Sequence, residues 1–322
     1  MSRYINPYTD FGFKKLFGEE ANKDLLIDFL NAVLPLESKI VSLEFRNPEQ
    51  LPDNIVDRKA IFDIACVGEH NESFTVEMQK SQQQYFKDRA LFYLSFPIQR
   101  QAQKGDWDFN LNPVYLVAVL NFIYDESEEK QKIYRLVSLK DQDGEEFLEK
   151  LKMVFLQMPL FKLSEPELKT QKDKWMYFLK NLENFDEIPA ILREPVFEKA
   201  FGTAEYLKYS PEVQEAYQRD LMIYRDNVNV VKTARLKGLA EGEARGLAKG
   251  EAKGKAEGLA EGKAKGKAEG LAEGKAKGKA EGLAEGEAKR SAEVARNLKS
   301  MGLKPADIAK ATGLSIADVE KL

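Results

Sequence analysis

The sequence predicts an α/β domain followed by a repetitive, helix-forming tail, and three observations carry this prediction. Two short runs, residues 61–67 and 74–79, alternate apolar and polar side chains as two paired β-strands do. The segment 82–104 has helical length, and residues 115–122 are an apolar run typical of a buried central strand. After Arg235 the composition changes to Gly, Ala, Glu and Lys, which cannot build a core alone.

Further segments frame the two strands within the globular part. Residues 25–34 carry apolar side chains at helical spacing, and residues 148–224 are mainly helical in character with one candidate strand. We therefore divide this part into a core, residues 1–140, and a mainly helical extension, residues 141–235, that packs on the core. The other predicted strands are residues 39–45, 133–139 and 153–156.

The two alternating strands place three polar residues on one side of a hairpin. With the turn at residues 68–72, paired residues have numbers that sum to 140, so Asp63 lies opposite Glu77. Side chains two residues apart share one side of a strand, and Gln79 therefore joins Glu77. The pattern predicts two carboxylates within cross-strand reach of each other, beside one amide.

Two interpretations of this acidic pair remain open. Directly opposed carboxylates repel each other, and a divalent cation between them removes the repulsion. Oxygen ligands of this kind suit Mg²⁺ or Mn²⁺, which can activate water and stabilise a phosphodiester under attack. The alternative is a hairpin whose polar face simply contacts water, as one face of an antiparallel sheet commonly does.

The order of these residues resembles a variant active site of the PD-(D/E)xK nuclease superfamily. In that variant an Asp, a hairpin and then Glu-x-Gln follow one another, and Gln stands where most members have Lys. The segments Asp10 to Gly18 and Asn22 to Asn31 are similar to the opening of one branch, the Rpn family of recombination-promoting nucleases, which are also described as transposases. The tail rich in Gly, Glu and Ala resembles that family too.

The resemblance implies a fold, an activity and a set of site residues. The fold is a restriction-endonuclease-like α/β core with helical additions, and the activity is metal-dependent cleavage of DNA. Asp63 and Glu77 correspond to ligands of Mg²⁺ or Mn²⁺, and Gln79 to the third catalytic residue. Because an amide cannot take up a proton at neutral pH, proton removal then depends on the metal.

Composition excludes several other classes of site. The one histidine, His70, falls in the predicted turn, which argues against a histidine base or paired histidine ligands. The one cysteine, Cys66, falls on the apolar side of its strand, so no disulfide or zinc cluster can form. No stretch approaches the roughly 18 apolar residues of a membrane span and no signal peptide follows Met1, so we expect a cytoplasmic protein without membrane partners.

The tail consists of a repeat and a small terminal module. Thirteen glycines occupy every fourth position from Gly238 to Gly286, and they drift around a helix that has 3.6 residues per turn. A lone helix, a self-associating rod and a flexible linker with helical bias are the three structures considered for this GxxxG-type repeat, residues 236–289. We favour the linker or the rod, and the rod would make the protein a homo-oligomer.

The terminal module, residues 290–322, is predicted to hold three short helices. Gly302 ends one helix, Pro305 begins the next, and Ser315 caps the last. This order resembles a helix-turn-helix unit that binds DNA. The last helix holds two acidic residues and one lysine, however, so a helical packing or dimerisation module is the alternative.

Net charge bears on the choice of function. Residues 236–322 carry 18 basic and 14 acidic residues, so the overall charge of −4 leaves −8 for residues 1–235. An acidic body attracts DNA weakly, and binding requires local basic clusters or the metal itself. In the predicted helix 82–104, Arg89, Arg100 and Gln83 can line such a site.

Two functions from different classes follow from these observations. The first is a metal-dependent DNA endonuclease that promotes recombination, with DNA as its partner. The second is a catalytically degenerate nuclease fold that acts as an interaction or regulatory module. The presence of all three polar residues, Asp63, Glu77 and Gln79, favours the endonuclease, since a degenerate site readily loses one of them.

Overall fold

The computed structural model of the chain describes residues 2–46, 49–50, 60–61, 63–103, 105–125 and 127–322. It divides into two compact units, Met1–Arg235 and Leu236–Leu322, at the position where the composition changes. Phe62, which belongs to the first predicted strand, lies outside the described residues. No helix among the described residues is long and apolar enough to cross a membrane.

The first unit contains both helices and strands, and one long helix, α6, continues into the second unit. The helices are α1 (Asp10–Phe17), α2 (Lys23–Val33), α3 (Phe86–Gln99), α4 (Gln171–Asn181), α5 (Pro195–Ala204) and α6 (Pro211–Ser300). The strands are β1 (Leu43–Phe45), β2 (Glu49–Gln50), β3 (Ala60–Ile61), β4 (Ile64–Gly68), β5 (Ser73–Gln79), β6 (Val114–Leu120), β7 (Tyr134–Lys140) and β8 (Glu146–Gln157).

The main sheet among the described residues has six strands in the order β1-β4-β5-β6-β8-β7. The central strands β5, β6 and β8 are parallel, while β1, β4 and β7 are antiparallel to their neighbours. In the β4–β5 hairpin Ile64 pairs with Val76 and Ala65 pairs with Thr75, which is the register predicted from the sequence. A mixed sheet with helices confirms the predicted α/β class.

Helices cover both faces of the sheet because the strands alternate between two cores. Val76 and Met78 of β5 point into the larger core, which contains the buried sides of α1, α2, α4 and α5. Cys66 is buried in the same core, as its apolar position predicted. Leu116 and Ala118 of β6 point to the opposite face, where α3 covers them. Thr75, Glu77 and Gln79 alternate with Val76 and Met78 and therefore face α3.

Strand β8 is the main difference between the predicted and the observed elements. Residues 148–224 were expected to be mainly helical with a strand at 153–156, but β8 extends over Glu146–Gln157. It lies between β6 and β7, so the sheet continues beyond residue 140. Phe147, Leu148 and Leu151 have helical spacing, and pairing with two neighbouring strands overrides this local pattern.

The second unit is helical. Residues 236–289 all lie in α6 with exposed side chains. Among the described residues, a Cβ atom added to their glycines would meet nothing within 4 Å apart from the neighbouring backbone of the helix itself. After α6, Gly302 adopts φ 85°, and α7 (Pro305–Thr312) and α8 (Ile316–Lys321) follow. The Ser315 hydroxyl caps α8 by accepting the Asp318 N–H at 3.1 Å, in agreement with the predicted helix boundaries.

Gly12 fixes the position of α1 against the preceding loop. The Thr9 hydroxyl caps the helix by accepting the Gly12 N–H at 2.9 Å. A Cβ atom at position 12 would lie 2.1 Å from the Asn6 carbonyl oxygen, so the backbone would have to move. No side chain other than hydrogen fits this contact.

We expect Gly12→Ala to destabilise the protein by about 2 kcal/mol or more, because overpacking against backbone is poorly relieved. The matched control is Gly202→Ala in α5, where an added Cβ meets nothing within 4 Å. The control should stabilise by about 0.5–1 kcal/mol, since Ala is the better helix former. Thermal unfolding followed by circular dichroism measures both, and equal melting temperatures for the two variants would contradict this description of α1.

Candidate metal centre

The carboxylates of Asp63 and Glu77 both bind backbone N–H groups at the end of the β4–β5 hairpin. Asp63 lies in a bend directly before β4. Its Oδ2 atom accepts the Met78 N–H at 2.6 Å, and Glu77 Oε1 accepts the Asp63 N–H at 3.4 Å. The ladder between the two strands therefore continues past Ile64 through a carboxylate, which replaces a backbone carbonyl as the acceptor for Met78.

Glu77 is held in a tight cavity beneath α3. Glu77 is only 3% exposed, and the Gln79 amide donates a hydrogen bond to its Oε2 atom at 2.8 Å. The cavity has a volume of about 10 Å³, roughly the space of one water molecule, and Arg89 and Tyr93 of α3 also line it. Burial and then the charge of Asp63 raise the pKa of Glu77 to about 8, although the Arg89 charge opposes this.

Asp63 lines a different and larger space. Its carboxylate faces a cleft of about 580 Å³ beside α1, together with Asp10, Lys14 and Asp220. Burial is the main cause that raises the pKa of Asp63. The hydrogen bond from Met78 and the charges of Lys14 and Lys80 act in the opposite direction.

The three predicted site residues are thus brought together in part. Glu77 and Gln79 lie on one side of β5 and touch, as the alternation of the strand predicts. Asp63 was expected on that same side, but it precedes the first residue of β4 and is not bound by the alternation of that strand. Its carboxylate turns to the Met78 N–H and lines the α1 cleft, whereas Glu77 lines the cavity under α3.

The donor chemistry at the hairpin end fits a hard divalent cation. The described residues contain no group of three or more His, Cys, Asp or Glu side chains arranged to hold a metal. Mg²⁺ nevertheless is commonly held by one or two carboxylates, with water and substrate phosphates completing the shell. Two neighbouring carboxylates whose burial raises both pKa values carry an electrostatic conflict that a cation removes.

Several residues of the α1 cleft were not predicted from the sequence. Asp220 lies on α6, accepts the Phe11 N–H at 2.7 Å, and is 3.9 Å from Lys80 Nζ. Lys80 follows Gln79 in the chain, and its charge acts on Asp63. No local pattern could link Asp220 to α1, since more than 200 residues separate them. Lys14 belongs to the opening segment that carries the family resemblance.

Arg89 is the residue of α3 that the sequence did indicate. It contacts Gln83 at 2.5 Å, lies 4.9 Å from the centre of the Tyr93 ring, and lines the Glu77 cavity. Helix α3 is the next element after β5 in the chain, and its first turns lie over the end of that strand. The positive charge of Arg89 favours the ionised form of Glu77 and so partly opposes the rise in its pKa.

Comparison with known protein families identifies the family of the first unit. The sequence model of a family described as PD-(D/E)XK nuclease family transposase matches residues 7–234. The match begins just before α1, includes the whole sheet and ends close to the boundary between the two units. Neither the curated proteins nor the solved structures provide a match. Since the family model covers well over half of the chain, the protein belongs to the PD-(D/E)XK nuclease family transposases.

Proposed function

We propose that this protein is a metal-dependent DNA endonuclease in which Asp63 and Glu77 hold Mg²⁺ or Mn²⁺. The single observation that carries the proposal is the pair of carboxylates at the hairpin end, joined by the Met78 and Asp63 N–H groups. Once Glu77 ionises, the two carboxylates carry like charges, and a divalent cation held between them would offset their repulsion. Family membership supplies the independent support.

The proposed reaction is hydrolysis of one phosphodiester bond. The oxygen of a water molecule forms a bond to phosphorus as the water gives up one proton to solvent. One ester P–O bond breaks, and the released oxygen takes a proton from solvent. A bound divalent cation would lower the pKa of water and offset the charge that develops on the phosphate. Gln79 cannot accept the proton, and its amide instead orients Glu77 through the bond to Oε2.

A groove that contains two arginines supports DNA as the substrate. This groove has a volume of about 480 Å³ and includes Arg46, Arg100 and Asn112. Thr75 also lines it, two residues before Glu77 on the same side of β5. Local arginines of this kind supply the phosphate contacts that the acidic net charge of residues 1–235 does not.

The finer parts of the proposal concern the biological setting. Promotion of DNA recombination in the cytoplasm fits the family and the single buried cysteine. Homo-oligomerisation through residues 236–289 fits a long exposed helix whose small residues allow close helix pairing. The metal-ligand roles of Asp63 and Glu77 do not depend on either point.

The alternative is an interaction or regulatory module built on a degenerate nuclease fold. Two observations favour it: Gln79 stands where most members have Lys, and the two carboxylates line separate spaces. In this case Asp63 would serve only to bind the Met78 N–H at the strand end. Such a protein would bind partners without cutting DNA.

Cleavage of supercoiled plasmid by the purified full chain separates the two functions. We expect nicked and linear products with Mg²⁺ or Mn²⁺ and none with EDTA, because the proposed chemistry needs the cation. The Asp63→Asn variant, purified by the same steps, controls for contaminating nucleases. Equal cleavage by the variant, or none by the wild type with either metal, would refute the proposed function.

A further inference from the structure

Lys14 lies in the α1 cleft on the same side as the Asp63 carboxylate. It pairs with Asp10 one helical turn earlier at 3.2 Å, and both side chains are nearly half exposed, at 43% and 48%. Exposed pairs of this kind contribute little to stability, so the ammonium group is available to a stronger anion. The charge of Lys14 acts on Asp63, and both residues line the space of about 580 Å³.

The neighbouring lysines are paired too but less exposed, since the side chains of Lys15 and Lys80 are each 26% exposed and that of Lys14 is 43% exposed. Lys15 pairs with Glu19 at 2.7 Å and lies 5.4 Å from the centre of the Tyr209 ring. Lys80 is 3.9 Å from Asp220, whose other carboxylate oxygen is held by the Phe11 N–H. Lys14 is therefore the lysine of this cleft that is best placed to meet a phosphate entering from solvent.

The position of Lys14 is fixed by the rest of α1. Thr9 caps the helix, Gly12 sets its distance from the loop, and Phe13 and Leu16 are buried in the larger core. Because α1 is anchored in this way, the backbone of Lys14 has a fixed position, and the ammonium group stays within one side-chain length of it.

We propose that Lys14 is a catalytic residue that contacts the phosphate under attack next to Asp63 and supplies the positive charge that Gln79 cannot. This inference rests on the proposed endonuclease function. Lys14 acts by charge and by hydrogen bonds to the non-bridging phosphate oxygens, which become more negative as water attacks. The proton of the water is left to solvent, and the lysine stays charged throughout.

The test compares Lys14→Ala and Lys14→Arg with the wild type and with Lys208→Ala. Lys208 is a matched control because it also pairs within one helical turn, with Glu205, and does not line the cleft. The first readout is the affinity for a DNA duplex in Ca²⁺ at several salt concentrations. Loss of one phosphate contact should reduce the slope of log K against log salt by about 0.9 in Lys14→Ala.

The second readout is the single-turnover cleavage rate at saturating DNA in Mg²⁺. We expect Lys14→Ala to lower it about 10²-fold, as removal of one charge-stabilising donor commonly does. Lys14→Arg should keep the salt slope and part of the rate, and Lys208→Ala should match the wild type in both. Mn²⁺ affinity, measured by calorimetry, should stay within about twofold in all four proteins, because Lys14 is not a metal ligand.

The outcomes distinguish this inference from the proposed function. A wild type that cuts DNA, with a Lys14→Ala variant of equal rate and equal salt slope, overturns the role of Lys14 alone. A wild type that does not cut overturns the endonuclease and the catalytic role with it. A Lys14→Ala variant that loses Mn²⁺ affinity or unfolds at a lower temperature than Lys208→Ala would assign Lys14 a structural role instead.

Discussion

Asp63→Asn and Glu77→Gln are each expected to lower the single-turnover rate of DNA cleavage about 10³-fold or more. Each change removes one negative charge and one strong metal ligand while it keeps the size of the side chain. Metal stabilisation of the developing charge is worth several kcal/mol, and each 1.36 kcal/mol corresponds to a factor of ten in rate. Rapid-quench measurements at saturating DNA and metal test the prediction.

The structure predicts that neither substitution destroys the fold. An amide oxygen at position 63 can still accept the Met78 N–H. The single amide oxygen of a Gln at position 77 can replace Glu77 Oε2 as the acceptor for Gln79, while the longer bond of 3.4 Å from the Asp63 N–H is lost. Asp141→Asn is the matched control, since Asp141 Oδ1 also accepts backbone N–H groups in a hairpin turn, from Asp143 and Glu145. Wild-type rates in Asp63→Asn or Glu77→Gln, with the control unchanged, would contradict the assigned roles.

The stability of the metal-free protein should decrease as the pH rises from about 4.5 to about 8. Burial and the charge of Asp63 raise the pKa of Glu77 from its ordinary value to about 8 in the folded state. The folded protein therefore binds more protons than the unfolded chain in this range, and the stability present below pH 4.5 is lost as Glu77 ionises. The expected loss is on the order of a few kcal/mol, and above pH 8 the contribution levels off.

A divalent cation should reverse this loss, because it binds the ionised form of the folded protein. We expect the melting temperature at about pH 8 to rise by roughly 5 °C or more when Ca²⁺ or Mg²⁺ is added, and little change at about pH 5. Glu77→Gln should melt at nearly the same temperature at both pH values and respond weakly to metal. Calorimetry that finds the metal-free wild type more stable at pH 8 than at pH 5.5 would contradict the buried, raised pKa of Glu77.

The hairpin and the terminal module could be predicted because local patterns determine them. The turn placed at residues 68–72 gave the register of β4 with β5, and the alternation of apolar residues put Val76 and Ile64 into the core together. In the second unit Pro305, Gly313 and Ser315 begin, end and cap helices through backbone geometry that depends on few distant contacts.

The geometry around Asp63 depends on contacts that no local pattern encodes. The pairing of the strands in the sheet determines that β4 begins at Ile64. Asp63 therefore lies in a bend one residue before the strand, and its side chain does not follow the alternation of β4. The cleft beside it combines α1 with Asp220 of α6, far apart in the chain. Only residues 153–156 of strand β8 were predicted, for a related reason: the apolar residues of its first half fit a helix until β6 and β7 are placed beside them.

Binding of Mn²⁺ to the full chain, measured by isothermal titration calorimetry at about pH 8 without DNA, tests the central claim most directly. Two carboxylates that share one cation predict a binding event in the wild type that is weakened at least about tenfold in Asp63→Asn and also in Glu77→Gln. The Asp141→Asn control should bind as the wild type does. Unchanged Mn²⁺ binding in either of the two site variants would show that Asp63 and Glu77 do not hold the ion together.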